Sequence, residues 1–452
     1  YLGLVLGSSG RAIIRPVAGH HGGEAFMRMT VKTLWRALTL LGVATVALAL
    51  AGLGLLFMAR QAIKPAPGEW ATSVHVGPAT VQVGVPTLIW LGTTPWISML
   101  LDGRSLTTQL GTIRMQWQAD SETLALRCSP CSIPARGLGT GALHFDEANL
   151  LVRRKGSRLE GSLSSGHVVA AWDGVLTPQS LKLQINLPAT PIRDGYALFA
   201  SVIPEVQLAT IDGTFSLRAT LYLPSGNYTL TPRVEGFAVQ GLGTGSLAAA
   251  NSTCSAGLRK SRLRADSLLA RAVMAAEDQR FFEHAGFDLA ELTASFQRNQ
   301  HEGRIERGAS TLSQQLARLL VTGAERTPTR KLRELLYAVE MEQTLGKARI
   351  LRLYLDSAPW GSGICGAEAA ARQYFGIRAR ELDAGQAVWL AAMLHHPVME
   401  ADHWATTGRI NVARAHWVAN AMRPMPRSER DELVNSLAEV DWPAPAARLP
   451  LP

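Results

Sequence analysis

The spacing of apolar positions changes character along this chain. It begins with an unbroken apolar run, ALTLLGVATVALALAGLGLLFMA at residues 37–59, which holds no charged residue. At about 1.5 Å per residue, a helix of this length crosses the roughly 30 Å hydrocarbon core of a bilayer. Arg28, Lys32 and Arg36 precede the run, with Arg11 and Arg15 further upstream, while Arg60 and Lys64 follow it. The excess of positive charge on the N-terminal side places the N-terminus in the cytoplasm and the rest of the chain outside. The run exceeds a usual signal-peptide core, which favours an uncleaved anchor over a cleaved leader. We therefore expect a cytoplasmic segment at 1–32 and a transmembrane helix at 33–60. The chain opens on Tyr1, and Met27 or Met29 would be sensible starts.

From 70 to 250 the period becomes two. Leu181, Leu183, Ile185 and Leu187 alternate with Lys182, Gln184 and Asn186, and Phe215, Leu217, Ala219, Leu221 and Leu223 repeat the pattern. Ile113, Met115 and Trp117 give a shorter example. Alternation broken by Gly, Pro, Asn and Ser predicts antiparallel strands, and Arg154-Lys155-Gly156-Ser157 reads as a hairpin tip. A Gly-Leu-Gly-Thr-Gly string at 137–141 returns at 241–245. It marks either a duplicated β unit or a coincidence in a Gly-rich region. No catalytic constellation occurs here. The region reads as a β-rich extracytoplasmic domain that spaces the catalytic domain, binds a partner or shelters a lipid.

After Leu263 the period turns helical. Leu268, Leu269, Ala272, Val273 and Ala276 share one face, with Asp266 or Ser267 as N-cap. That helix delivers Glu277 and Asp278. A second helix is expected from Asp288 to His301, ending at Gly303. Thr311 with Gln314 three residues on forms a capping box for a third, whose buried stripe is Leu312, Leu316, Leu319 and Leu320. Thr327-Pro328 opens a fourth, which carries Arg330, Lys331 and Glu334 and ends near Gly346. Arg330 and Glu334, four apart, share its surface.

Composition narrows this picture. A chain of 452 residues is too long for one ordinary core. Its 18% of charged residues is low against about a quarter in soluble domains, in keeping with membrane contact. The formal charge of +9 suits an anionic lipid or a phosphate-bearing substrate as well as a solvated surface. Four cysteines, Cys128, Cys131, Cys254 and Cys365, make no disulfide scaffold. Cys128 and Cys131 form a lone CxxC, which argues against zinc and leaves either a local disulfide or two reduced thiols.

Four ordered motifs then carry a specific resemblance. Glu277-Asp-Gln-Arg-Phe-Phe-Glu-His-Ala-Gly286, Gly308-Ala-Ser-Thr-Leu-Ser-Gln-Gln-Leu-Ala-Arg318, Arg330-Lys-Leu-Arg-Glu334 and Lys347–Asp356 with Gly361–Ala371 and Tyr374-Phe375-Gly376 resemble, in order, motifs of the peptidoglycan glycosyltransferases. Arg414 to Met422 matches the fifth motif more weakly. The resemblance implies a multidomain protein: a single transmembrane helix, the β-rich middle domain at 70–250, a mainly α, lysozyme-like catalytic domain at 258–425, and a tail at 426–452. The residues after Met422 are too few for the transpeptidase half of a bifunctional relative, so a monofunctional enzyme is expected.

Carried onto these positions, the family implies catalytic roles for Glu277, as general base on the acceptor 4-hydroxyl, and for Glu334, beside the donor diphosphate, where it orients basic groups or a divalent cation such as Mg or Mn. No organic cofactor is implied. Arg318, Arg330 and Lys331 would bind the diphosphate. Asp278, Phe281, His284, Gly308, Ser310, Thr311, Gln314 and Gln315 would line the substrate site. His284 reads equally as a packing residue, and Glu334 also as a plain ion-pair partner of Arg330. The implied partners are lipid II, the nascent glycan strand and the bilayer, with cell-wall synthesis proteins possible at the β-rich domain and no nucleic acid. The implied location is the bacterial inner membrane, single-pass, with catalysis in the periplasm. A catalytically weak or inactive scaffold that binds glycan or cell-wall proteins, and a lysozyme-like hydrolase, are the rival readings; the second is disfavoured because a hydrolase needs no diphosphate site. Asp356 stands where the family usually has Asn, Arg318 where Lys or Asn is commoner, and His395-His396-Pro397 replaces a basic, Pro-rich stretch. A β-rich insert between anchor and catalytic domain is also unusual for the family.

Overall fold

The computed structural model describes residues 43, 45–54, 57–58, 61, 64–76, 79–134, 142–248, 261–302, 310–323, 325 and 327–439. The chain divides into two compact units, Tyr1–Leu88 and Ile89–Pro452. In the first, residues 45–54 are helical, and β1 (Ala71–Val76) pairs antiparallel with β2 (Ala79–Gly84). Much of the expected 33–60 anchor lies outside the described residues, and among those described no helix is long and apolar enough to cross a membrane.

The second unit opens on an antiparallel sheet. Its strands are β3 (Ser105–Thr108), β4 (Gly111–Gln118), β5 (Thr123–Pro134), β6 (Ala142–Phe145), β7 (Ala148–Lys155), β8 (Arg158–Ser165), β9 (Val168–Leu176), β10 (Leu181–Pro191), β11 (Thr210–Leu223) and β12 (Asn227–Gln240). From β7 to β12 every strand pairs with its neighbour in sequence, while β5 pairs with β4, β6 and β7. The alternating positions behave as predicted. On β10, Leu181 and Leu187 are buried while Lys182, Gln184 and Asn186 are exposed. Gly156, with φ +65°, turns β7 into β8 at the expected hairpin tip. Cys128 and Cys131 are joined by a disulfide. Of the two Gly-Leu-Gly-Thr-Gly strings, the first lies outside the described residues, and the second leads into a short 3₁₀ turn at Thr244–Ala248.

From Leu268 onward the unit is mainly helical, as expected, with one short antiparallel strand pair at Pro359–Gly361 and Ile364–Cys365. The helices that build the site are α3 (Leu268–Glu277), α4 (Leu289–Glu302), α5 (Leu312–Ala317), α6 (Pro328–Thr344), α7 (Lys347–Ser357) and α8 (Val412–Ala421); the β10–β11 connection contributes α1 (Ile192–Ala197) and α2 (Glu205–Leu208). Ser267 caps α3 by accepting from the Ala270 amide, and Thr327 caps α6 with Pro328 at its first position. Thr311 and Gln314 form the predicted capping box of α5. Helix α6 ends at Thr344, and Gly346 instead leads α7. One apolar core, with Leu269, Val273, Leu312, Leu316, Ile350, Trp360 and Trp404 fully or almost fully buried, gathers these helices.

The sheet does not hang free of the helices. A second apolar core joins Ile192, Tyr196, Ile203, Ile211 and Val239 from the sheet side to Leu336 and Val339 of α6. Polar contacts fasten the same seam. The Tyr196 hydroxyl donates to the Leu332 carbonyl at 3.1 Å, and the Leu242 amide donates to Glu340 at 2.8 Å. Glu205, only 3% exposed, accepts from the Arg333 guanidinium at 2.6 and 2.8 Å and from the Tyr337 hydroxyl at 3.2 Å. Burial by itself pushes the Glu205 carboxyl up; the Arg333 hydrogen bonds and charge, with Tyr337, hold it below the usual carboxylate range. Its stabilising effect is therefore present at neutral pH and fades as acidity protonates it. Glu205→Ala strands Arg333 and should lower stability by about 2–4 kcal/mol, whereas the Glu205→Ala/Arg333→Met pair should recover part of that loss. Denaturant midpoints of the single and double variants check this.

Candidate active site

Glu277 is the last residue of α3, where the helix C-terminus presents carbonyls rather than amides and so disfavours a carboxylate. Its side chain is 13% exposed. Oε2 accepts from the Gln315 amide at 3.0 Å, and the Gln315 oxygen in turn accepts from the buried Tyr354 hydroxyl at 2.9 Å. Oε1 has no hydrogen-bond partner among the described residues and lies 3.7 Å from Arg414 of α8. Burial raises the Glu277 carboxyl above the usual range, against the lowering effect of Gln315, Arg414 and Arg318. A buried carboxylate with one oxygen held and the other left without a hydrogen bond has the form of a general base.

Asp278 continues inward. Its oxygens accept from the Leu312 amide at 2.9 Å and meet His284 Nε2 at 3.0 Å. Because His284 Nδ1 accepts from the Gly286 amide at 3.3 Å, Nε2 carries the proton and donates to Asp278. The Gly286 carbonyl accepts from Thr311 at 2.7 Å. Gly286 has φ +94°, and a Cβ there would meet the Ala338 backbone at 2.9 Å. These contacts fix the start of α5 beside Glu277, so Asp278 and His284 act as positioning groups, and Asp278 also reaches the cleft wall. Phe281, expected at the substrate, is instead 1% exposed and belongs to the helical core, because its aromatic surface packs edge-on against Phe282 and beneath the Lys347 ammonium. Gly308 lies outside the described residues.

After Ala317 the chain loosens into a π-helical turn, Arg318–Thr322, a form that recurs at functional sites. Arg318, Ser310, Thr311 and Gln315 line one cleft of about 610 Å³ with Glu277 and Asp278. Beside it, Lys331 donates to Ser310 and to Glu334, and Arg330 pairs with the other Glu334 oxygen. Glu334 is 1% exposed and is not part of the cleft wall, so it holds the two cations in place. Arg318, Arg330 and Lys331 together outnumber this carboxylate, and the cluster is left net positive. Burial, then the neighbouring Arg330 and Arg318 charges, pull the Lys331 ammonium down to about 8. A divalent cation does not fit at Glu334, since both oxygens already meet cations, and no group of three metal-ligating His, Cys, Asp or Glu side chains occurs among the described residues.

Gln314, also expected at the substrate, is mostly buried as the third residue of the capping box. Arg414, Trp417 and Tyr354 were absent from the expected site. Arg414 stacks on Trp417 at 4.5 Å and both line the cleft. Tyr354 sits in the fourth motif and Arg414 opens the fifth, but neither spacing nor period betrays that they converge on Glu277.

A buried base beside a cationic pocket is the arrangement required for transferring a group away from an anionic leaving group. Residues 261–423 match the family model described as Transglycosylase, and β3–β12 lie outside the matched segment. The chain is similar to the biosynthetic peptidoglycan transglycosylases of Laribacter hongkongensis (strain HLHK9), 46% identical over 129 residues, which cover 28% of this chain and 57% of the relative. It is likewise similar to those of Thiobacillus denitrificans (strain ATCC 25259 / T1), 46% identical over 140 residues covering 31% and 60%, and Chromobacterium violaceum, 46% over 135 residues covering 30% and 59%. The chain thus spans somewhat under three fifths to three fifths of the length of these curated relatives.

Inorganic pyrophosphate should bind the Lys331 cluster more weakly as pH rises through about 8, because the neutral amine loses its charge. Calorimetric titration should find this pH dependence in the intact chain and lose it in Lys331→Met.

Proposed function

We propose that this chain is a membrane-anchored peptidoglycan glycosyltransferase, which polymerises lipid II into β-1,4 glycan strands with inversion and release of undecaprenyl diphosphate. The observation that carries this reading is the placing of Glu277, buried and with Oε1 lacking a hydrogen bond, beside the positive cluster of Arg318, Arg330 and Lys331. The family match and the names of the similar proteins support the reaction class.

Glu277 Oε1 takes the proton of the acceptor 4-hydroxyl as that oxygen attacks the donor's anomeric carbon. The bond from this carbon to the phosphate oxygen breaks, and its electron pair leaves with the diphosphate. Arg318 and Lys331 meet the charge that develops there, and Glu334 keeps Arg330 and Lys331 aimed. Gln315, held by Tyr354, fixes the rotation of the Glu277 carboxylate, and Arg414 favours its ionised form. Each displacement is single, so inversion turns an α-linked donor into a β link without a covalent glycosyl-enzyme.

A lipid-linked donor fits a chain with an apolar, uncharged stretch at 37–59, whose described helical residues Leu48, Leu50 and Leu53 are all exposed. The Cys128–Cys131 disulfide agrees with catalysis outside the cytoplasm, in the periplasm of a single-pass inner-membrane protein.

The detergent-purified chain should polymerise lipid II, and Glu277→Gln should lose at least about a thousandfold in rate with little change in donor affinity. Lipid II left unpolymerised by the wild type across pH and detergent conditions sinks this reading, and cleavage of preformed glycan would point to a hydrolase. Activity should fall as pH drops through the Glu277 titration. Arg414→Ala removes a cation that favours the carboxylate, so the acid limb of its pH–rate profile should move to higher pH.

A further inference from the structure

A second cavity, of about 480 Å³, lies between the sheet and the helices. Its walls are Phe199, Phe215 and Phe237 from the sheet side and Phe287, Leu292 and Leu335 from the helical side. The four phenylalanines and Leu335 border the core that joins sheet and helices but stay only partly covered, and Leu292 is exposed. Apolar surface left in water costs about 25 cal/mol per Å², so a folded seam that stops short of closure favours an apolar occupant. Gly195 in the wall lets the Phe215 ring approach the backbone, since a Cβ there would meet that ring at 3.1 Å.

One end of this cavity is polar and positive. Ser310, Gln314 and Lys331 line it there, and Asp288 and Ser310 are shared with the cleft that holds Glu277. Asp288 is already engaged by Arg280 and by the Glu291 amide, and Arg330 and Lys331 share the single Glu334 carboxylate, which leaves the mouth net positive. Base, cation cluster and apolar cavity therefore follow one another along a continuous surface. An occupant must carry an anionic head at Lys331 and an extended apolar chain behind it.

We propose that this cavity takes the first isoprene units of the donor's polyprenyl chain, so that the β-rich domain completes the substrate site by binding the lipid of the leaving group. The proposal rests on the function given above, since that reading places a polyprenyl diphosphate at Lys331. A phospholipid acyl chain is the competing occupant, but its phosphate would have to sit where the leaving diphosphate is formed.

The test uses the full chain in nanodiscs of phosphatidylglycerol and phosphatidylcholine with a polyprenyl diphosphate carrying a diazirine in its first isoprene units. Crosslinks are expected in peptides covering residues 192–237 and 287–292, and unlabelled polyprenyl diphosphate should compete them away. Val234→Trp, which narrows the cavity, should cut labelling and raise KM for full-length lipid II about tenfold. It should leave KM for a donor with a single isoprene unit within about twofold. Leu292→Asp, at a position 37% exposed and therefore tolerant of change, should act the same way if the first variant misfolds. Labelling confined to other regions, unchanged KM for full-length lipid II in folded variants, or equal competition by excess phosphatidylglycerol would overturn the proposal. A wild type that never polymerises lipid II defeats the proposed activity, while the crosslinking pattern still decides the occupant of the cavity.

Discussion

A charge taken out of water must be met at once, and helix α6 takes several. Glu334 is answered by Arg330 and Lys331 on its own helix, Arg333 by Glu205 of the sheet domain, and Glu340 by backbone amides that follow β12. An unmet partner in any of these would cost several kcal/mol. The rest of the unit is arranged around this obligation. The sheet domain supplies counter-charges and apolar cover to one side of α6, and the other side is free to present its cations.

This makes the sheet part of the site's mechanics. The segment that matches the transglycosylase family begins at residue 261, yet the helix that carries its third motif is fastened by Tyr196, Glu205 and Leu242 from outside it. Position along α6 then separates the tasks. Residues 330, 331 and 334 form the cation cluster, while 333, 336, 337 and 340 face the sheet. A shift of the sheet would move the cations with it.

Much of this was legible in the sequence where the rule is local. Period-two alternation located β10 and β11, and Thr311 with Gln314 located the start of α5. The Arg330–Glu334 ion pair followed from helical spacing alone. Glu277 was legible through its motif. What escaped depends on contacts distant in the chain. Phe281 looked like a site residue because it sits among site residues, but its ring packs inward against partners the motif does not name. Glu205 lies 128 positions from Arg333, and neither residue has a local pattern to announce the pair. Arg414 lies far along the chain from Glu277, and only the folded core brings α3 and α8 together.

The Gln315 amide holds a last consequence. Tyr354 donates to its oxygen, which leaves only its nitrogen to face Glu277 Oε2. That nitrogen can only donate. A proton arriving at the carboxyl is therefore directed to Oε1, and the bond at Oε2 survives whether the group is charged or neutral. The base can load and unload its proton without turning. Each proton transfer would then begin from the same side-chain geometry that the previous one left behind.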